Sequence, residues 1–182
     1  MTYKLTTEEM HRLTVEEFRE SEKLPLTVVL DNVRSQNNIG SVFRTADAFR
    51  VEHIALCGIC STPPHREIHK TALGAEESVA WSYHEDTAEC VKELKARGYR
   101  IYAVEQVDDS IKLGMRNGEL GIEGHPIAII LGNEIEGVQE GLLPLCDGSL
   151  EIPQYGTKHS LNVSCAAAIV IWEMFKKLKI ES

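Results

Sequence analysis

Short apolar segments alternate with longer amphipathic segments along most of this chain. Residues 24–30, 53–57, 99–104 and 127–131 are short, apolar and partly β-branched. This pattern predicts buried β-strands. Residues 38–49 instead repeat apolar side chains at intervals of three and four positions, which is typical of an amphipathic helix.

Further segments extend the same alternation. Residues 87–97 predict a second helix that Gly98 can end, and residues 160–177 predict a final helix. Shorter apolar segments at residues 79–81 and 150–152 predict two more strands. Strands that alternate with helices favour an α/β fold, in which helices cover both faces of a parallel sheet.

Three stretches carry weaker patterns. Residues 6–21 are predicted to be helical, because Thr6 and Glu9 have the spacing of a capping box and the segment is rich in glutamate. An irregular region is expected across residues 63–74, which begin with two prolines. A loop with a short helix is expected across residues 108–124, which are polar and contain glycines.

The length of the chain fits a single domain. Residues 1–182 are predicted to form it, with residues 1–23 as a helical extension and residues 24–182 as the core. Apolar residues make up 43% and charged residues 26%, as in ordinary globular proteins. No apolar run reaches the roughly 18–20 residues of a membrane helix, and the start has no signal-peptide pattern. We therefore expect a cytoplasmic protein with no membrane partner.

The net charge of −9 argues against broad electrostatic attraction to nucleic acid. It leaves room for a local basic face, for which three clusters are candidates. They are His65, Arg66, His69 and Lys70, then Lys158 and His159, and then Lys176, Lys177 and Lys179. A solvated surface is the simpler interpretation of the C-terminal lysines.

Two cysteines and two histidines lie close together in the sequence. Cys57, Cys60, His65 and His69 are side chains that zinc accepts as ligands. Four ligands within thirteen residues would form a very tight knuckle, and Cys57 lies in a predicted strand. The odd total of five cysteines indicates reduced thiols. We therefore expect no metal site here, and we interpret the cysteines as buried and the histidines as surface residues.

The final predicted helix begins with polar side chains and is then almost entirely apolar. Residues 161–172 are so apolar that we expect the helix to be buried on nearly all sides. The polar exceptions are Ser160, Asn162 and Ser164. Ser160 can cap the helix. Because a cap does not need Asn162 as well, Asn162 indicates a ligand or a reacting group.

Two other polar positions accompany buried segments. Gly132 and Gly137 bracket Glu134 and Glu136 directly after a predicted strand, and glycine lets the backbone approach a ligand closely. The spacing matches neither a dinucleotide fingerprint nor a P-loop. On the helix predicted at residues 38–49, Arg44 falls nearly opposite the apolar stripe at about 100° per residue. We therefore expect its side chain to point away from the core.

Taken together, these motifs resemble those of a known family. Residues 38–48, residues 131–137, and residues 152–153 with 160–164 are similar to the three motifs of the SpoU (TrmH-type) RNA ribose methyltransferases, in the SPOUT superfamily. All three are in the family's order. The resemblance covers roughly residues 24–178.

The resemblance implies a fold and a cofactor. The fold would be a parallel sheet flanked by helices, with a C-terminal deep trefoil knot over approximately residues 127–178, an exception to the rule against threaded chains. S-adenosylmethionine would be held by the knot loops at residues 103–106, 131–137 and 152–161. The implied cofactor contacts are Gly132, Ile152, Leu161, Val104 and Glu105. Members of the family are homodimers with the active site near the interface.

The resemblance also implies a catalytic set. Its members are Arg44, Asn38, Glu134, Ser160 and Asn162. The family proposal makes the arginine the general base, whereas a guanidinium is normally always charged. Arg44 can instead hold a substrate phosphate and stabilise a developing alkoxide. We expect Asn38 to position Arg44, and Ser160 and Asn162 to position the reacting hydroxyl or the cofactor loop.

The implied reaction is methylation of a ribose 2′-hydroxyl in RNA. The architecture favours tRNA, because the separate N-terminal RNA-binding domain of some rRNA-modifying relatives is missing. Two alternatives stay open: the same chemistry on rRNA, and a catalytically silent RNA-binding protein of the same fold. Gln154 and Tyr155 replace the commoner methionine and small residue, so Tyr155 can alter substrate choice.

Overall fold

A seven-stranded parallel β-sheet forms the centre of the molecule. The computed structural model describes residues 2–6, 8–114, 120 and 122–178. The strands are β1 (Leu24–Asp31), β2 (Val51–Cys57), β3 (Ala80–His84), β4 (Arg100–Val104), β5 (Ile111–Lys112), β6 (Ile127–Leu131) and β7 (Gly148–Glu151). They run in the order β3-β2-β1-β6-β4-β7-β5, and all neighbours pair in parallel.

Helices cover both faces of this sheet, so the predicted α/β architecture is confirmed. They are α1 (Val15–Glu20), α2 (Gln36–Ala48), α3 (Arg66–Ala72), α4 (Ala75–Ser78), α5 (Thr87–Ala96) and α6 (Val163–Leu178), with a 3-10 helix at Glu140–Leu145. Helices α1 to α4 and α6 pack in the core on one face. Helix α5 and the 3-10 helix pack on the other.

Side-chain alternation along the strands builds both cores. In β1, Val28 and Leu30 face the helices α2 and α6, whereas Val29 faces α5. In β6, Ile129 and Ile130 divide in the same way. All of these side chains are completely buried, and each contributes roughly 1.5–3 kcal/mol relative to an exposed side chain.

The strand order places four chain segments side by side at one edge of the sheet. Strands β1, β6, β4 and β7 are consecutive neighbours, and parallel strands end at the same edge. The connections that leave their carboxyl ends therefore meet there. The sheet also reverses its winding between β1 and β4, and ligands of open α/β sheets bind at such a switch point.

The helix predicted over residues 6–21 is much shorter than expected. Thr6 and Glu9 do exchange capping hydrogen bonds, at 2.8 and 3.3 Å, but these close only a turn. His11 then takes a left-handed backbone conformation with φ of 47°. A second capping box, Thr14 with Glu17, starts α1. Residues 8–14 are almost entirely exposed, so they bury no apolar face that would stabilise a longer helix.

The region predicted to be irregular, residues 63–74, contains α3. The backbone N–H of Glu67 donates to Nδ1 of His65, which caps the helix at 3.2 Å. Ile68 is buried beneath it. Helix α2 approaches so closely that a Cβ at Gly40 would lie 2.2 Å from the Ile68 carbonyl oxygen. A helix of seven residues is too short to show a clear period, so the prediction was wrong here.

The strand predictions need smaller changes. Within the described part of residues 108–124 there is no helix, and the short strand β5 pairs with β7 instead. Part of that predicted loop, residues 115–119 and 121, lies outside the described residues. Strand β3 is longer than the three residues predicted. The 3-10 helix was not predicted.

Helix α6 is buried on one side only, which contradicts the prediction of burial on nearly all sides. Val170 and Met174 are fully buried, whereas Ile169 is 41% and Trp172 49% exposed. The Trp172 ring centroid lies 5.6 Å from that of Phe49 in a tilted arrangement. One apolar face of this helix is therefore exposed in the single chain.

Candidate active site

Three loops at the carboxyl edge of the sheet enclose a cavity of about 690 Å³. They follow β4, β6 and β7. The cavity is lined by all five residues expected to contact a cofactor: Val104, Glu105, Gly132, Ile152 and Leu161. It is also lined by Glu134, Ser160 and Asn162 of the expected catalytic set. The structure therefore brings eight of the ten predicted site residues to one place.

The loop after β6 folds back on itself and needs two glycines. A Cβ at Gly132 would lie 2.0 Å from the carbonyl carbon of Gly137. Gly137 itself has a left-handed φ of 72°. Between them, the side-chain oxygen of Asn133 accepts the backbone N–H of Ile135 at 2.9 Å and of Glu136 at 3.2 Å. These contacts fix the backbone that forms one wall of the cavity.

Glu105 fastens this loop to the loop that follows β4. Its carboxylate accepts the backbone N–H of Val138 at 3.1 Å and that of Gln106 at 3.0 Å. Hydrogen bonds to a carboxylate are stronger than neutral ones. Two walls of the cavity are therefore joined before any ligand binds.

A chain of side-chain hydrogen bonds connects Glu134 to the start of α6. Asn38 Nδ2 donates to Glu134 Oε1 at 3.0 Å, and Asn162 Nδ2 donates to Asn38 Oδ1 at 3.1 Å. Asn162 Oδ1 then accepts the backbone N–H of Ser164 at 2.9 Å. Since the carboxylate can only accept, it fixes the orientation of the Asn38 amide, which in turn fixes that of Asn162.

Glu134 also lies at the N-terminus of α2. It accepts the backbone N–H of Arg34 at 3.0 Å and of Ser35 at 2.9 Å. Partial burial acts to raise the pKa of Glu134, but these bonds and the bond from Asn38 outweigh it, so the pKa is lowered. The carboxylate is therefore ionised at neutral pH. Its negative charge also interacts favourably with the dipole of α2 at the N-terminus of that helix.

The interpretation of Ser160 and Asn162 requires a correction. Asn162 caps α6, because its side-chain oxygen accepts the N–H groups of Ser164 and Cys165. Ser160 lies outside the helix, is exposed and lines the cavity. The cap is thus Asn162 rather than Ser160, and the same Asn162 amide also bonds Asn38.

Arg44 lies apart from the cavity. Its side chain is exposed on α2, as its position opposite the apolar stripe predicted. It is not among the residues that line the cavity. Among the described residues, it forms neither an ion pair nor a side-chain hydrogen bond, so Asn38 does not position it through a direct contact.

The cavity has a strongly acidic lining. Its carboxylates are Glu105, Glu134, Glu136, Glu140 and Glu151, and its described lining contains no lysine or arginine. Apolar side chains such as Leu131, Val138 and Leu150 complete the wall. This combination suits a ligand that carries positive charge together with an apolar or aromatic part.

Asp31 supports the site and was not predicted. The carboxylate is fully buried at the end of β1. It accepts hydrogen bonds from Thr87 Oγ1 at 2.7 Å, and from Gln139 through its backbone N–H at 2.9 Å and Nε2 at 2.6 Å. It therefore ties the start of α5 to the segment below the cavity. The available sequence signal was a carboxylate directly after the apolar residues 28–30.

The residues considered for zinc have other contacts. Cys57 and Cys60 are buried, and burial raises the pKa of the Cys60 thiol to about 11. His65 caps α3, and His69 Nδ1 lies 2.5 Å from a carboxylate oxygen of Glu76. The described residues contain no group of three or more histidine, cysteine or acidic side chains arranged for a metal ion.

Among the described residues, no helix is long and apolar enough to cross a bilayer.

The fold and the cavity define an α/β protein with an acidic, small-molecule-sized cavity at the carboxyl edge of a parallel sheet. The sequence model of the SpoU rRNA Methylase family matches residues 25–172. The chain therefore belongs to this family, and the resemblance drawn from its motifs is confirmed. With it, the prediction that the protein is a methyltransferase is confirmed.

Individual relatives agree with this assignment. A tRNA (guanosine(18)-2′-O)-methyltransferase of Thermus thermophilus is 34% identical over 166 residues, covering 91% of this chain and 81% of its own. The TrmH/SpoU tRNA modifying enzyme of A. aeolicus superposes with a TM-score of 0.76 at 26% identity, covering 90% and 80%. An AdoMet-bound rRNA methyltransferase from Sinorhizobium meliloti has a TM-score of 0.76 at 25% identity. The match covers 87% of this chain but only 62% of that one.

Proposed function

We propose that this protein transfers the methyl group of S-adenosylmethionine to a ribose 2′-hydroxyl in tRNA. One observation carries the proposal: the five expected cofactor contacts and three of the expected catalytic residues line one cavity. The relative from Thermus thermophilus, which matches most of both chains, is named for this chemistry on tRNA.

The cavity fits S-adenosylmethionine in size and charge. Its volume of about 690 Å³ lies within the range of ordinary small-molecule sites. The cofactor carries a positive sulfonium and a positive ammonium group, which the five lining glutamates complement. The apolar wall offers a surface for the adenine ring. A bound S-adenosylmethionine supplies the activated methyl group.

The residues of this chain then orient the reaction. Displacement at the methyl group requires the ribose oxygen to be aligned with it at near-attack distance. Ser160 lies exposed at the cavity, and we assign it to hold the hydroxyl or the cofactor loop. Glu134 accepts three hydrogen bonds and is ionised, so we assign it to position Asn38 and Asn162 rather than to exchange protons.

We assign Arg44 to the RNA. Its exposed guanidinium can bind a substrate phosphate and stabilise the oxygen as negative charge develops. We favour this role over that of a general base, because a guanidinium remains charged in proteins. Arg44 does not line the cavity of its own chain, so the proposal requires bound RNA or a second subunit to complete a reaction centre around it.

We propose that two chains pair through the uncovered face of α6. An apolar stripe runs along this face and consists of Cys165, Ile169 and Trp172, which are exposed and follow helical spacing. Leu161, exposed in the cavity loop just before the helix, extends it. A single chain leaves this stripe in water, and a second copy can bury it against itself about a two-fold axis. The stripe begins at the cavity loop, which would place both active sites near the interface.

We also propose the knot and the single domain over residues 1–182. The strand order supports the knot, because β7 lies between β4 and β5, which follow one another in the chain. The chain then continues to α6, which packs on β1 and α2. Strand β7 therefore pairs with both strands that the β4–β5 connection joins, which supports a threaded C-terminal segment over approximately residues 127–178.

Ribosomal RNA is the second candidate substrate. The family description and the Sinorhizobium meliloti relative both refer to rRNA. The two substrates are distinguished by incubating the protein with labelled S-adenosylmethionine and either purified tRNA or ribosomal subunits. We expect label in tRNA, and label in rRNA alone would overturn the choice of substrate. The proposed location is cytoplasmic, where both RNAs are present.

A further inference from the structure

The outer wall of the cofactor cavity is held by very few hydrogen bonds. It belongs to residues 153–161, of which Gln154, His159, Ser160 and Leu161 line the cavity, and residues 155–161 are exposed. Among the hydrogen bonds of the described residues, a single one reaches this segment: Gln106 Nε2 donates to the backbone carbonyl of His159 at 2.9 Å. The segment therefore depends on one side chain from another loop.

The two ends of the segment are fixed. At one end, the Leu113 N–H donates to the Glu151 carbonyl at 2.9 Å beside β7. At the other end, Asn162 bonds Asn38 at 3.1 Å and caps α6. The part between these anchors has one hydrogen bond to the rest of the described chain, from Gln106 to His159 near its C-terminal end.

Gln106 projects from a rigid base. Its backbone N–H donates to Glu105 at 3.0 Å, and Glu105 also bonds Val138 in the opposite loop. Adjacent residues thus fasten both other walls: Glu105 holds the loop after β6, and Gln106 holds the segment after β7. The Gln106 side chain is exposed, so water competes with its hydrogen bond.

We propose that Gln106 is a positioning residue that latches residues 153–161 over bound S-adenosylmethionine and thereby sets its release rate. This inference rests on the proposed function. Because the latch is one exposed hydrogen bond, it opens often enough for cofactor exchange. Its loss should accelerate release roughly 3- to 10-fold, the range expected for one net hydrogen bond.

The test uses two variants of similar length. Gln106→Met keeps the shape but removes the donor, whereas Gln106→Lys keeps a donor at the same reach. Labelled S-adenosylmethionine bound to each protein is chased with excess unlabelled cofactor. We expect faster release from Gln106→Met, near-normal release from Gln106→Lys, and unchanged thermal stability of all three proteins without cofactor.

Other results would overturn the latch. Equal release from wild type and Gln106→Met would do so, as would equally fast release from both variants. A lower thermal stability of Gln106→Met without faster release would show a purely structural role. Failure of the wild type to bind S-adenosylmethionine would instead refute the proposed function.

Discussion

Replacing Glu134 with glutamine tests the polar chain that organises the site. Oε1 of Glu134 accepts from Ser35 and Asn38, and Oε2 accepts from the backbone N–H of Arg34. The variant Glu134→Gln has one carbonyl oxygen and one NH₂ group. If the oxygen keeps the bonds to Ser35 and Asn38, the NH₂ group faces the Arg34 N–H, and two donors meet.

The expected cost follows from these contacts. Loss of one hydrogen bond to a charged acceptor costs about 1.5–3 kcal/mol. Loss of a carboxylate at the N-terminus of α2 adds about 0.3–1 kcal/mol. We expect a total of about 2–4 kcal/mol, which lowers the unfolding midpoint of a chain of this length by roughly 4–16 °C.

The assay is urea and thermal unfolding at pH 7 and fixed protein concentration. Glu136→Gln is the matched control, because the Glu136 side chain lies in the same loop, is exposed and accepts no hydrogen bond from the described residues. We expect the control to unfold like the wild type. If Glu134→Gln were as stable as Glu136→Gln, the reasoning about the polar chain would be refuted.

Further predictions concern pH, the loop, the interface and catalysis. The lowered pKa of Glu134 means that its stabilisation is complete above the ordinary value of 4.5 and is lost as pH falls through the folded-state pKa. The difference in unfolding free energy between wild type and Glu134→Gln should therefore shrink below pH 4.5. Gly132→Ala places a Cβ 2.0 Å from the carbonyl carbon of Gly137, so calorimetry should show a cofactor affinity lowered by about tenfold or more. Trp172→Arg should shift the mass measured by light scattering from two chains to one. Arg44→Ala should reduce methyl transfer by about 10²- to 10³-fold with cofactor affinity unchanged.

Each of these variants has a comparison that isolates its effect. Gly141→Ala meets no atom within 4 Å and should bind cofactor normally. Tyr83→Arg changes an aromatic side chain that is 46% exposed on β3 and should not alter the mass in solution. Normal activity of Arg44→Ala would exclude Arg44 from the reaction. A dimeric Trp172→Arg protein would place the interface elsewhere. If the difference in unfolding free energy between wild type and Glu134→Gln did not change with pH, the role of the Glu134 charge would be contradicted.

Much of the fold could be predicted because its strands bury both faces. Strand β6 is a continuous apolar run and β1 is mostly apolar, and such segments are recognisable without any knowledge of their partners. Helix α3 and strand β5 escaped prediction because they contain only seven and two residues. Their stability comes from tertiary contacts, such as the close approach of α2 at Gly40.

The α6 prediction was wrong for a different reason. Composition shows that a helix is apolar, but it does not show whether the same chain covers each face. Trp172 is 49% exposed although its neighbour Ile171 is fully buried. Local sequence has no signal that separates an apolar face packed in the core from an apolar face that stays exposed in the single chain.

Within the site, the motifs predicted positions better than roles. Gly132, Glu134 and Asn162 line one cavity, as expected. The roles depend on long-range contacts, such as that of Glu134 with Arg34, which is 100 positions away in sequence. Gln106 lies in the predicted loop at residues 103–106, but its bond to His159 and the bonds of Asp31 were missed because only the folded chain brings these partners near.

The most direct test of the account is the position of the transferred methyl group. Protein, labelled S-adenosylmethionine and purified tRNA are incubated, and the RNA is hydrolysed with alkali, which cannot cleave beside a 2′-O-methylated ribose. We predict that the label remains in alkali-stable dinucleotides. Label recovered on a base, or no transfer to any RNA by a protein that binds the cofactor, would contradict the account.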